Sequence, residues 1–125
     1  MISNTSRTLE FLRRQGWEAA IVERFNPYAG KYGQRKDLFG IADIVAMGEG
    51  KNWLVQSCGQ SFAEHDRKIL DSAEVAPLAL KWLEGGGGIM LIGWRKVKLK
   101  RGGKAMRWKP RIKEYTIKDF QKEED

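Results

Sequence analysis

Asp43 is the one carboxylate in an otherwise apolar run, Phe39-Gly40-Ile41-Ala42-Asp43-Ile44-Val45-Ala46. Gln56 stands in the middle of a second such run, Trp53-Leu54-Val55-Gln56-Ser57-Cys58. A carboxylate buried without a partner costs several kcal/mol or takes up a proton, unless a metal or a cation compensates it. An acid and an amide on neighbouring strands therefore mark a site, and the chemistry that suits them is divalent-metal binding. Cys58 is the only cysteine and His65 the only histidine, which excludes an internal disulfide framework and a cysteine-rich zinc site. A metal here would be held by hard oxygen donors, which favours Mg²⁺ or Mn²⁺.

The elements that must position these residues follow from the pattern around them. Arg7 to Gly16 reads as a short helix, capped by Thr5 or Ser6 and stopped by Gly16, with Leu9 and Leu12 on one face. Trp17 to Phe25 reads as a strand in which Trp17, Ala19, Ile21, Glu23 and Phe25 share a face. Tyr28 to Asp37 reads as a loop carrying Lys31, Arg35 and Lys36. Leu38 to Met47 reads as a second, central strand, Gly48-Glu49-Gly50 as a hairpin turn, and Trp53 to Cys58 as a third strand antiparallel to the second. Phe62 to Ser72 reads as a helix broken at Pro77, and Leu78 to Leu83 as another, stopped by the four glycines Gly85–Gly88. No Gly-Lys-Ser follows those glycines, so the phosphate-loop motif is absent. Ile89 to Trp94 is a buried strand, and Met106 to Ile117 returns beside it with Pro110 at a bulge or edge position. The order is helix, three strands, helices, strand, strand. It predicts one α/β domain over residues 1–125, with 119–125 as a frayed tail.

The net charge is +7 and the pI about 9.7, a balance that favours a polyanionic partner. The charge is concentrated. Arg95, Lys96, Lys98, Lys100, Arg101, Lys104, Arg107, Lys109, Arg111 and Lys113 follow one another with no acid between them. Alternation would put Lys96, Lys98 and Lys100 on one solvent face. Trp94 and Trp108 can stack on bases or fill the core, and Trp94 suits the core better. The competing reading is an edge hairpin loaded with lysine against edge-to-edge pairing. No apolar run approaches the roughly 20 residues that cross a bilayer, and no signal-peptide core precedes the first helix. A cytoplasmic protein with no membrane partner is expected.

The run Gly40-Ile41-Ala42-Asp43-Ile44-Val45-Ala46, the Gly-Glu-Gly turn and the Gln56-Ser57-Cys58 strand together resemble the core of the PD-(D/E)XK nuclease superfamily. Holliday-junction resolvases and small phage-type members are the comparison, the latter through Asp37-Leu38-Phe39-Gly40 and Gly93-Trp94-Arg95-Lys96. The resemblance implies a restriction-endonuclease-like αβββαβ core with a mixed central sheet, followed here by a C-terminal basic β-hairpin. It implies a metal-dependent endonuclease or resolvase-like phosphodiesterase acting on branched or structured DNA, working as a homodimer in a prokaryotic or phage-infected cell. Asp43 and Gln56 take the places of the two metal-binding acids. Arg35, Lys36, Arg95, Lys96, Lys98, Lys100, Arg101, Lys104, Arg107 and Lys109 take the role of DNA contacts.

The chain departs from the family pattern at two positions. Gln56 replaces the second acid with a neutral oxygen ligand. Cys58 stands where the family has its lysine, and a thiol carries no fixed positive charge. A lysine displaced elsewhere is expected at Lys68, with Arg67 and Lys51 as further candidates. Glu10 lies on the first helix but not at the family's offset from Gly16, and Glu23 is the alternative acid near the site. The same departures support the alternative reading, a catalytically degenerate nucleic-acid-binding or accessory protein that keeps the fold.

Overall fold

The computed structural model describes residues 2–121; the end of the expected tail, residues 122–125, lies outside the described residues. Helix α1 spans Asn4–Arg14 and is capped by Ser3, whose hydroxyl oxygen accepts the Ser6 amide proton. The helix therefore starts ahead of the expected caps, Thr5 and Ser6. Thr5 falls inside its first turn, with its hydroxyl free for another partner.

Five strands form one mixed sheet: β1 (Glu18–Ile21), β4 (Ile44–Gly48), β5 (Lys51–Cys58), β6 (Gly88–Lys98) and β7 (Met106–Tyr115), side by side in that order. All neighbours are antiparallel except β5 and β6. That parallel pair requires a crossover, and helices α2 (Phe62–Asp71) and α3 (Ala76–Glu84) supply it. Pro77 sits in the first turn of α3, where its missing N–H costs nothing. The amides of Gly85, Gly86 and Gly87 are spent on the carbonyls of Lys81, Leu83 and Trp82. The glycine run is thus a helix stop, with no amide of these three left to cradle a phosphate.

The strand expected over Trp17–Phe25 divides. Its pairing partner β4 begins only at Ile44, opposite Ile21, so the chain leaves the sheet there. It then forms a separate two-stranded ribbon, β2 (Arg24–Asn26) against β3 (Gln34–Lys36). Ile21 and Phe25 end up exposed, unlike the buried Trp17 and Ala19 with which alternation grouped them. The strand expected from Leu38 likewise begins later. Leu38 and Ala42 close a tight turn through two backbone bonds, with Phe39 and Gly40 at φ of 57° and 70°. Phe39 at its tip is exposed, whereas Ile41 and Ala42 are fully buried in the core, which accounts for their apolar character. Asp43 lies at the bend between turn and strand.

Side chains alternate along β5 to fill two cores. Trp53 and Val55 join Leu12, Trp17, Ile44, Ile92 and Trp94 beneath α1. Leu54 and Cys58 join Phe62, Ile69, Ala79, Leu83 and Leu91 beneath α2 and α3. Beyond β7, a 3₁₀ turn (Ile117–Phe120) is fixed by a capping box between Thr116 and Asp119, and Phe120 packs against Tyr115. Residues 119 and 120, expected to fray, belong to this turn. Among the described residues no helix is long and apolar enough to cross a membrane.

Candidate active site

Asp43 is 3 % exposed and is pinned by its backbone on both sides. Its amide donates to the Val55 carbonyl at 3.1 Å, and its carbonyl accepts from Val22 at 2.9 Å. Its carboxylate accepts the Ser57 amide at 3.2 Å and the Thr5 hydroxyl at 3.2 Å. Among the described residues no lysine or arginine forms an ion pair with it. Burial is the main force on its proton affinity and pushes the carboxyl up to about 7; the Ser57 amide works against this, the charge of Asp37 adds to it, Thr5 opposes it and Glu23 adds to it. An electrically uncompensated carboxylate with two like charges beside it is the arrangement a cation would relieve.

The neighbours of Asp43 come from both ends of the chain. One turn along α1 from Thr5, fully buried Thr8 accepts from the Ser57 hydroxyl at 2.8 Å and from the Trp94 indole at 2.8 Å. Thr5, Thr8 and Ser57 are site residues that the strand pattern misses. The available signal was two threonines at helical spacing on the face of α1 that also carries Leu12. A cleft of about 400 Å³ opens beside them, lined by Ser3, Thr5, Ile21, Glu23, Phe25 and Arg35. A larger cavity, about 680 Å³, lies at the opposite end of β5, against the β4–β5 turn and α3, and has no carboxylate in its lining. The smaller cleft is the one bordered by Thr5, a hydrogen-bond partner of Asp43.

Gln56 is 7 % exposed, and its side-chain amide donates to the Ser57 carbonyl at 3.0 Å. By alternation it faces the α2 side with Cys58, away from Ser57's hydroxyl. Burial pushes the Cys58 thiol up to about 11, with the charge of Asp43 adding to this and that of Arg111 opposing it. The thiol is neutral at physiological pH. Glu23 is engaged by Arg35 at 3.6 Å. Glu10 pairs instead with Arg14 on its own helix. Lys68 and Arg67 lie on the exposed side of α2, and no ion pair or side-chain hydrogen bond joins either to Asp43. Lys51 heads β5 at its hairpin end, roughly 23 Å from Cys58 at strand rise.

A hard divalent ion placed here would meet a carboxylate with no cationic side chain on it and two further carboxylates within electrostatic reach. Among the described residues no three His, Cys, Asp or Glu side chains form a metal-binding cluster. An ion would rest on one carboxylate and neutral oxygens.

The basic hairpin starts where β5 ends. Register places Cys58 opposite Gly93, and Arg95 opposite Lys109 two residues further out. Its cations divide between two faces. Lys96 and Lys98 lie on the α1 side, with Trp108 held between the Arg7 guanidinium at 3.6 Å and the Lys96 ammonium at 5.2 Å. Arg95, Arg107 and Lys109 lie on the α2 side. Lys100, Arg101 and Lys104 occupy the connecting turn, so Lys100 does not continue the strand face of Lys96 and Lys98. Trp94 is buried and Trp108 is exposed. Arg35 and Lys36 are exposed on the β2–β3 ribbon. Comparison with family models, with curated proteins and with solved structures found no match for this chain.

Proposed function

We propose that this protein is a metal-dependent nuclease that binds DNA through its C-terminal hairpin and hydrolyses a phosphodiester at Asp43. The observation that carries this reading is the buried Asp43 carboxylate, held by neutral donors, without a cationic partner and beside the charges of Asp37 and Glu23. The strand order, with β4 and β5 antiparallel and β5 and β6 parallel across a helical crossover, is compatible with the nuclease-like core that the sequence resembles. Asp43, the Gln56 side-chain oxygen and the Ser57 carbonyl would hold Mg²⁺ or Mn²⁺. When bound, the ion supplies an acidified water and neutralises charge on the phosphate. The chain's own contribution is positional. Ser57 and Thr5 fix the carboxylate, and the hairpin's cations draw the DNA backbone to the end of β5.

The decisive experiment incubates the protein with duplex, single-stranded and four-way-junction DNA in Mg²⁺ or Mn²⁺, beside Asp43→Asn. Cleavage by the parent should fall at least about 100-fold in the variant. Mn²⁺ should also raise the melting temperature of the parent and leave that of Asp43→Asn unchanged. No cleavage with either metal, from folded protein that binds DNA, rejects the proposal.

A second reading has its own support. The Gln56 amide occupies the Ser57 carbonyl, an oxygen a metal would need, and Cys58 is uncharged. On that reading the protein binds DNA without cutting it, and the parent and Asp43→Asn bind equally in the absence and presence of metal.

A further inference from the structure

We infer that Arg111, on β7, supplies the positive charge that the sequence pattern leaves missing at position 58 of β5, and that it acts on the scissile phosphate. The inference rests on the nuclease reading above. Cys58, Gly93 and Arg111 form one row across three strands, with Cys58 paired to Gly93 and Gly93 paired to Arg111. Paired residues share a face of the sheet, so the side chains of the two outer members point the same way. The middle member has none. A Cβ at Gly93 would sit 2.6 Å from the Phe62 ring and 3.4 Å from the Cys58 sulfur. The bare centre lets Phe62 settle over β6, and the Arg111 guanidinium then lies on the Phe62 ring at 4.1 Å. A long side chain from β7 is thereby laid inward, toward β5.

Cys58 and Arg111 thus share one face at the end of β5, where the Ser57 amide holds the Asp43 carboxylate. Lys113, the next cation on this face of β7, cannot serve, because it is bound to Asp66 at 2.8 Å, an oxygen that also accepts from the Tyr115 hydroxyl at 2.6 Å. Among the described residues Arg111 has no ion-pair partner. A guanidinium held flat by an aromatic ring keeps its N–H fork free for phosphate oxygens.

The test compares the parent, Arg111→Gln, Arg111→Lys and the double variant Cys58→Lys/Arg111→Gln. DNA affinity is read by titration, and the single-turnover cleavage rate is read at saturating protein with Mn²⁺. Arg111→Gln should lose about 100-fold in the saturating rate, with a much smaller change in affinity. Arg111→Lys should keep part of that rate, and a lysine at position 58 should restore at least tenfold. An unchanged rate in Arg111→Gln, or a loss that saturating protein abolishes, overturns the assignment and leaves the nuclease reading standing. DNA bound yet uncut by the parent and by the Cys58→Lys/Arg111→Gln double variant alike overturns the nuclease reading and this assignment with it.

Discussion

A carboxylate that takes its hydrogen bonds from a backbone amide and a hydroxyl, as Asp43 does from Ser57 and Thr5, can stay in place in either protonation state. Its ionisation then shows up in stability. Burial lets the folded protein hold the Asp43 proton up to about pH 7, against 3.8 for an ordinary aspartate. Between those values the native state binds more protons than the unfolded chain, so stability falls as pH rises from about 4 to about 7 and is level above that. The shift corresponds to a loss on the order of 4 kcal/mol at pH 8. Asparagine at position 43 can accept the Ser57 amide and donate to the Thr5 hydroxyl, and it carries no charge. Asp43→Asn should therefore match the parent near pH 4 and exceed it by a few kcal/mol at pH 8. Urea denaturation of both proteins at the two pH values reads this directly. A difference between them that does not grow with pH would mean that Asp43 is compensated in the folded protein. The variant that abolishes the proposed activity is thus expected to be the more stable molecule, as when a site is kept at a cost to the fold.

Elements differ in how much of them the sequence can disclose. The β4–β5 turn was readable because Gly48-Glu49-Gly50 separates two apolar runs. The structure shows a two-residue turn with Glu49 and Gly50 at φ of 54° and 75°, closed by the Gly48–Lys51 pair. That backbone matches the twist of a hairpin and favours Asn-Gly. Glutamate gains nothing from the left-handed region, so Glu49→Asn should stabilise the protein by about 1 kcal/mol, seen as a higher urea midpoint at unchanged slope. A lower midpoint would show that Glu49 makes a contact worth more than its strain. The buried strands β5 and β6 were legible for the same local reason, as apolar runs between turn signals. The break at Ile21 was not, because it depends on where β4 starts, and alternation along Trp17–Phe25 carries no information about its partner's length. Asp43 was legible as an acid among apolar residues. Thr5 and Thr8 were not, since a threonine on a helix earns attention only once β5 is known to lie beneath it. Arg111 was hidden among ten cations until two strand registers placed it in line with Cys58.

At the scale of the whole molecule the net charge of +7 divides over surfaces with different consequences for DNA. The α1 face of the hairpin offers Lys96 and Lys98 around a tryptophan already covered by Arg7. The α2 face offers Arg95, Arg107 and Lys109, and its next member inward on β7 is Arg111. On the proposed reading, a DNA backbone laid along the α2 face would run from the hairpin to the end of β5, beside which Ser57 holds Asp43. A backbone on the α1 face meets α1 and the buried Trp94 instead. Each phosphate neutralised by a cation contributes about 0.9 to the slope of log affinity against log salt on duplex DNA. Replacing Arg95, Arg107 and Lys109 together with glutamine should therefore lower that slope by up to about 2.7. The Lys96→Gln/Lys98→Gln pair should lower it by much less than its share of 1.8. Binding titrations from 50 to about 200 mM salt span the range in which such contacts change affinity by orders of magnitude. Slopes that fall in proportion to the number of charges removed, irrespective of face, would mean that the hairpin attracts DNA by net charge alone. In that case it does not steer DNA toward Asp43.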